Sequence, residues 1–261
     1  MTVWGTGGAV AADQPMVRWD WIGDHTEEIR DLFVEHVVLT AVAVGVGFAI
    51  AMAMALAATR WRILYPPLAG LCGVLYAIPS LALFGLLVPI TGLGFVPAQI
   101  ALVSYTLLIL LRNIVAGLDG VPDAVREAAD GMGYEGWRRV LRIDLPLAAP
   151  TIVAGLRIAT VTTIGLVTVT ALVGEGGFGD LINDGLSRNF STPVVVGAVL
   201  SVALAIAFDL LFVGIERVAS PWVKAGRDAE PGGGRSGRSG RGRGRSRGRG
   251  HRDRSEVRDD G

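Results

Sequence analysis

Residues 127–146, EAADGMGYEGWRRVLRIDLP, form a polar, arginine-rich island between two apolar runs that are each long enough to cross a bilayer. Roughly 20 apolar residues in a helix span about 30 Å of hydrocarbon, because every backbone polar group must be satisfied within the segment. Outward from the island, five stretches meet that length: residues 37–58, 63–90, 95–118, 149–173 and 194–215. The second holds Pro66, Pro67, Pro79 and Pro89 and is expected to be broken or kinked. With 51% hydrophobic and only 18% charged residues in a chain of 261, the apolar content exceeds what one soluble core buries. The expected class is an all-α polytopic membrane protein.

The formal net charge of zero hides an asymmetry that orients these spans. Arg60 and Arg62 follow the first span, and Arg126, Arg138, Arg139 and Arg142 lie between the third and fourth. Arg217, Lys224 and Arg227 follow the fifth. Of the alternate connections, residues 91–94 carry no charge, and residues 174–192 set Glu175, Asp180 and Asp184 against Arg188. Basic residues concentrate in cytoplasmic loops, which places the amino terminus outside, the carboxyl terminus inside and the island in the cytosol. Residues 1–35 lack the layout of a cleavable signal peptide. With Trp19, Trp21 and the run EEIRDLFVEH they read as an amphipathic, extracytoplasmic segment leading into the first span. Residues 223–261, rich in Gly, Arg and Ser, have nothing to bury and read as a disordered cytosolic tail. A solvated tail, anionic-lipid contact and RNA binding compete there. The absence of aromatics among the arginines disfavours nucleic acid.

Several kinds of chemistry are not expected. Cys72 is the single cysteine, so neither an intrachain disulfide nor a cysteine metal site is available. His25, His36 and His251 show no ligand spacing, and no metal or cofactor is expected. No GxxxxGK[ST] phosphate loop occurs, so ATP hydrolysis, if coupled, belongs to another chain. Gly174, Gly176 and Gly179 spell GxGxxG, but that fingerprint requires a preceding strand in a parallel α/β unit. After a transmembrane run, these glycines read as a sharp turn with close packing.

Within the island, Pro122, Asp123 and Glu127 favour a helix start, and Gly131 with Gly133 ends that short helix. A second helix is expected from Tyr134 to Arg142, with Trp137, Val140 and Leu141 on one face and Pro146 as its stop. Ala128 and Ala129, exposed beside Glu127, would make a compact knob suited to a partner's groove.

The spacing Glu127-Ala128-Ala129, three residues, Gly133, nine residues, Ile143-x-Leu145-Pro146 resembles in full the motif of permease subunits of binding-protein-dependent ABC importers. Residues 78–94, 110–118, 154–165 and 171–182 resemble the osmoprotectant branch, which imports glycine betaine, carnitine, choline or proline, with Glu175 as a departure from the small residue usual there. The resemblance covers roughly residues 36–216 and implies a five-span type I importer permease fold over residues 36–222, with residues 119–148 as the cytosolic coupling loop. It further implies docking on a separate ABC ATPase subunit, an extracytoplasmic substrate-binding protein, and a second permease subunit in a homo- or heterodimer. The same fold importing an amino acid or sulfonate, a secondary transporter and a membrane-tethered RNA-binding protein are the alternatives. Two further expectations concern the spans. Tyr76, Phe84 and Tyr105 are candidates to line a pathway, and Arg157 and Asp209, each roughly 10 to 12 Å deep by helix rise, are candidates to pair.

Overall fold

The computed structural model describes residues 16–219, all helices and short connections. The expectation for residues 223–261 lies outside the described residues. Helix α1 (Trp19–Asp24) leads through His25 into α2 (Thr26–Arg60), so the run EEIRDLFVEH and the first span share one helix across the boundary drawn at residue 36. Helices α3 (Tyr65–Ala77) and α4 (Ser80–Thr91) make the broken second span, bent by 94°. The break falls where the prolines put it. Ile78 precedes Pro79 and is extended, as steric conflict with the proline ring requires, and Pro79 caps α4. Helix α5 (Phe95–Asp119) follows a tight turn.

The island contains α6 (Asp123–Gly131) and α7 (Gly136–Arg139), then a π turn (Val140–Asp144) that runs into α8 (Leu145–Thr170). Pro146 therefore does not stop a helix, contrary to the sequence expectation. Leu145 N–H donates to the carbonyl of Val140, five residues back, and the widened turn relieves the clash a proline ring makes with the carbonyl four residues before it. The fourth span consequently begins before residue 149, and residues 136–173 read as one helix of 38 residues. Helix α9 (Phe178–Ser187) lies between spans and α10 (Ser191–Ala219) is the last. Among the described residues four helices meet the length and hydropathy of a membrane span, and the bent α3–α4 pair makes a fifth.

The bundle is organised around α5, which is buried along most of its length against α2 on one side and α8 on the other. Gly47, Ala51, Ala55 and Ala58 are buried on one face of α2, letting the backbones approach closely. A Cβ on Gly47 would collide with the hydroxyl of Thr106 on α5. Leu110, Leu111, Ile114 and Val115 from α5 and Ala148, Ile152 and Ala159 from α8 complete that core. At the opposite end Ile164, Phe178, Leu181 and Leu204 join α8, α9 and α10. Helix α10 packs mainly on α8 and α9, and Val199, Val202, Ile206, Leu210 and Leu211 face outward. An outward apolar face is what a lipid-facing helix requires.

Candidate coupling loop and transport path

Helix α6 presents Glu127 and Ala128 to solvent, but Ala129 is buried at 1% exposure. The expectation that both alanines are exposed is thus corrected. Successive helical residues turn by about 100°, so one of two adjacent side chains must face inward on a helix lying against the bundle. Gly133 has φ +82°, a left-handed conformation. Its N–H donates to Asp130 O at 3.0 Å, and Tyr134 N–H donates to Ala129 O at 3.0 Å. These are the paired bonds of a Schellman terminus, so Gly133 sets the angle at which the chain leaves the knob. Ile143 and Leu145 are partly buried, Leu145 against the α2–α5–α8 core, and Pro146 is exposed. The motif therefore divides into an outward knob and inward anchors.

Electrostatics tie the knob to α8. Arg139 Nη1 donates to both carboxylate oxygens of Asp130, at 2.8 and 2.9 Å, linking α7 to α6. Asp130 thereby raises the Arg139 pKa above its ordinary value. Asp144, 5% exposed, lies 3.8 Å from Arg126 Nε and 3.6 Å from Arg139 Nε. Arg126 also donates to the carbonyl of Leu118 at the end of α5, at 2.6 Å. A buried carboxylate between two guanidiniums binds the loop helices to one another, because removing it takes a counter-charge from both arginines in a poorly solvated site. Asp144 occupies the unspecified position of Ile143-x-Leu145, so the motif gave no sign of it.

At the other end, His36 is fully buried and bridges two elements. Its Nε2 donates to Ile164 O at 3.1 Å, while its Nδ1 accepts from Phe178 N–H at 3.3 Å. Gly177 N–H donates to Glu35 Oε1 at 3.0 Å. The GEGGFG segment thus closes on the start of the first span, and its glycines serve close approach. A Cβ on Gly179 would strike the Thr168 carbonyl. Asp180 is pushed up to about 6 by burial first, then by the charges of Glu35 and Glu175. Glu175 rises for the same two reasons, burial and Glu35.

The aromatic expectations fare unevenly. Phe84 and Tyr105 are 3% and 5% exposed within one core cluster, and Tyr105 donates its hydroxyl to Ile78 O at 2.5 Å, satisfying the carbonyl left open by the α3–α4 break. Neither ring lines an open path in the single chain. Tyr76 is 41% exposed and meets Tyr105 edge-on at 5.9 Å. Arg157 on α8 and Asp209 on α10 form a two-pronged ion pair, Nε to Oδ1 and Nη2 to Oδ2. Among the described residues no cluster of His, Cys, Asp and Glu fits a metal ion.

The model of the family "Binding-protein-dependent transport system inner membrane component" matches residues 43–219. The chain belongs to this family. It is 34% identical over 203 residues to the osmoprotectant import permease protein OsmW of Salmonella typhimurium, covering 76% of this chain and 94% of that one. It is 35% identical over 187 residues to the glycine betaine/carnitine/choline transport system permease protein OpuCB of Bacillus subtilis, covering 72% and 86%. The fold is shared with the MetNI methionine ABC transporter in inward-facing form, at TM-score 0.64, 23% identity and coverage of 73% of this chain and 95% of that one. It is shared also with an amino acid ABC transporter crystallised with histidines, at TM-score 0.65, 18% identity, 77% and 98%. This inner-membrane component is therefore a multi-pass transport subunit with the five-span fold of ABC importer permeases.

Proposed function

We propose that this chain is the permease subunit of an ATP-driven importer of quaternary-ammonium osmoprotectants such as glycine betaine, carnitine and choline. Support comes from relatives whose names carry osmoprotectants in general or those solutes in particular and match over most of both chains. The observation that carries the coupling role is the exposed pair Glu127–Ala128 on a helix whose far end is fixed by Gly133 and Asp144. The arginines at the α6–α7 end make that end cytosolic and the end with α1 and α9 external. A separate ATPase seats the knob, two permeases enclose the path, and an external binding protein delivers solute to the α9 end.

In this cycle ATP binding closes the ATPases and draws the knobs together. The Asp130–Arg139–Asp144–Arg126 network conveys that displacement to α8 and to the end of α5, and the bundle changes the side to which it opens. ATP and the loaded binding protein drive the exchange because each binds the two states unequally.

The test is uptake of labelled glycine betaine, choline and carnitine into vesicles holding the permease with its ATPase and binding protein. Ala128→Trp should block seating by steric clash, and Glu127→Ala should remove a contact worth about 2 to 5 kcal/mol at a buried interface. Both should abolish uptake and ATPase co-purification while leaving membrane insertion intact. Normal uptake by both variants would make the loop an ordinary connector.

A further inference from the structure

A cavity of about 830 Å³ opens at the loop end of the bundle, between the last turns of α2 and α5 and the helices of the island. Four guanidiniums line it, from Arg60, Arg62, Arg126 and Arg139, against two carboxylates, Asp119 and Asp144. Among the described residues Arg60 has no carboxylate within ion-pair distance, and its guanidinium lies 5.9 Å from the centre of the Trp61 ring. Arg62 holds Asp119 at 2.8 Å, but the two side chains are 65% and 38% exposed, so the pair is screened and readily exchanged. On the floor, Arg126 Nε, Arg139 Nε and Asp144 Oδ1 are buried without a hydrogen-bond partner. The site therefore offers cations at its mouth, above a floor where two guanidiniums and the Asp144 carboxylate face one another.

Its level in the membrane is fixed by the chain. The apolar run of α2 ends just before Arg60, so the mouth lies where hydrocarbon gives way to headgroups. Trp61 and Trp137 on its wall are each 57% exposed and Ile63 beside it is 83% exposed, a pattern suited to the lipid interface.

We propose that this cavity binds the phosphodiester headgroup of an anionic phospholipid, for which phosphatidylglycerol is the probe. The guanidiniums take the phosphate, as basic pockets between transmembrane helices do on the cytoplasmic side. Leu56, Ala57 and Leu118 give the glycerol end an apolar wall. The assignment rests on the cytosolic placement of this end given above. Binding is read without transport, so its failure and the failure of that placement are separable.

The experiment is native mass spectrometry of the full-length permease, alone and with its ATPase, after incubation with equal amounts of phosphatidylglycerol and phosphatidylcholine. The wild type should retain phosphatidylglycerol in excess by about ten-fold or more, as expected of two basic side chains at the mouth. Joint Arg60→Gln and Arg62→Gln substitution should bring the ratio near one, and joint Arg60→Lys and Arg62→Lys should keep most of it. Arg188→Gln, at the opposite end, should leave it unchanged. Equal retention of both lipids by the wild type, or an undiminished excess in the Gln variant, overturns the proposal. Loss of the excess in millimolar inorganic phosphate would assign the cavity to a soluble phosphate. Loss on adding the ATPase would assign it to the ATPase seat. Either result overturns the lipid assignment.

Discussion

Two residues show how single side chains set the working ends. Gly133 holds φ +82°, and a Cβ there would meet nothing within 4 Å, so a substitution pays in backbone conformation alone. Gly133→Ala should therefore cost about 1 to 2 kcal/mol locally, read as roughly ten-fold faster hydrogen exchange at the Gly133-site and Tyr134 amides. Gly133→Asn should lose less, since Asn tolerates the left-handed region. At the opposite end, the Asp180 carboxyl sits at about 6, raised by burial and then by Glu35 and Glu175. A raised acid pKa means the folded state holds the proton more tightly. The resulting stabilisation is complete below the ordinary value near 3.8 and is lost as pH rises to about 6. Purified permease should accordingly melt at a higher temperature at pH 5 than at pH 7.5 in that contribution, with Asp180→Asn flattening the difference in tryptophan-fluorescence melts. A melt difference unchanged by Asp180→Asn would assign it to other groups.

At the scale of elements, hydropathy made the spans legible because each long helix faces lipid or small residues over most of its surface, and the prolines marked the α3–α4 break. The join between α7 and α8 was not legible. Pro146 carries a strong stop signal, and only the i+5 bonding of the Val140–Asp144 turn lets the helix continue through it. Ala129 was misread for a related reason, since a run of two small residues does not say which one faces the bundle. Asp144 and His36 escaped because their partners, Arg126 and Phe178 among them, are brought to them by tertiary packing. Arg157 and Asp209 were within reach of the sequence, because two opposite charges at matched depth in apolar helices have few other partners. Their side chains remain 39% and 32% exposed, so the pair fixes α10 to α8 at the margin of the bundle. A double-mutant cycle with Arg157→Ala and Asp209→Ala should be non-additive, each single variant lowering the melting temperature more than the second change adds. Additive effects would mean that the two charges act independently.

Across the whole molecule, the two ends differ in charge as well as in shape. One end gathers the start of α2, the α4–α5 turn, α9 and the start of α10. It is tied together there by Arg18 N–H donating to Thr192 Oγ1 at 3.1 Å and by the Glu35–Gly177 bond. Glu27, Glu28, Glu35, Glu175, Asp180 and Asp184 lie at that end. The other end carries Arg60, Arg62, Arg126, Arg138, Arg139 and Arg142 beside the knob. Basic side chains near span ends resist translocation, so the second end should face the cytosol and the first should meet the binding protein. Cys72 is 1% exposed, and a Cys72→Ser background removes even that residual reactivity. In intact cells, a membrane-impermeant maleimide should modify Ser187→Cys on α9 directly and Arg138→Cys on α7 only after permeabilisation. The reverse pattern would turn the molecule over, moving the knob away from any cytosolic ATPase and removing the basis for coupling through Glu127 and Ala128. Labelling of Ser187→Cys from outside, with Arg138→Cys protected, would place the acidic outer end where a quaternary-ammonium solute arrives and the arginine-rich end where ATP is available.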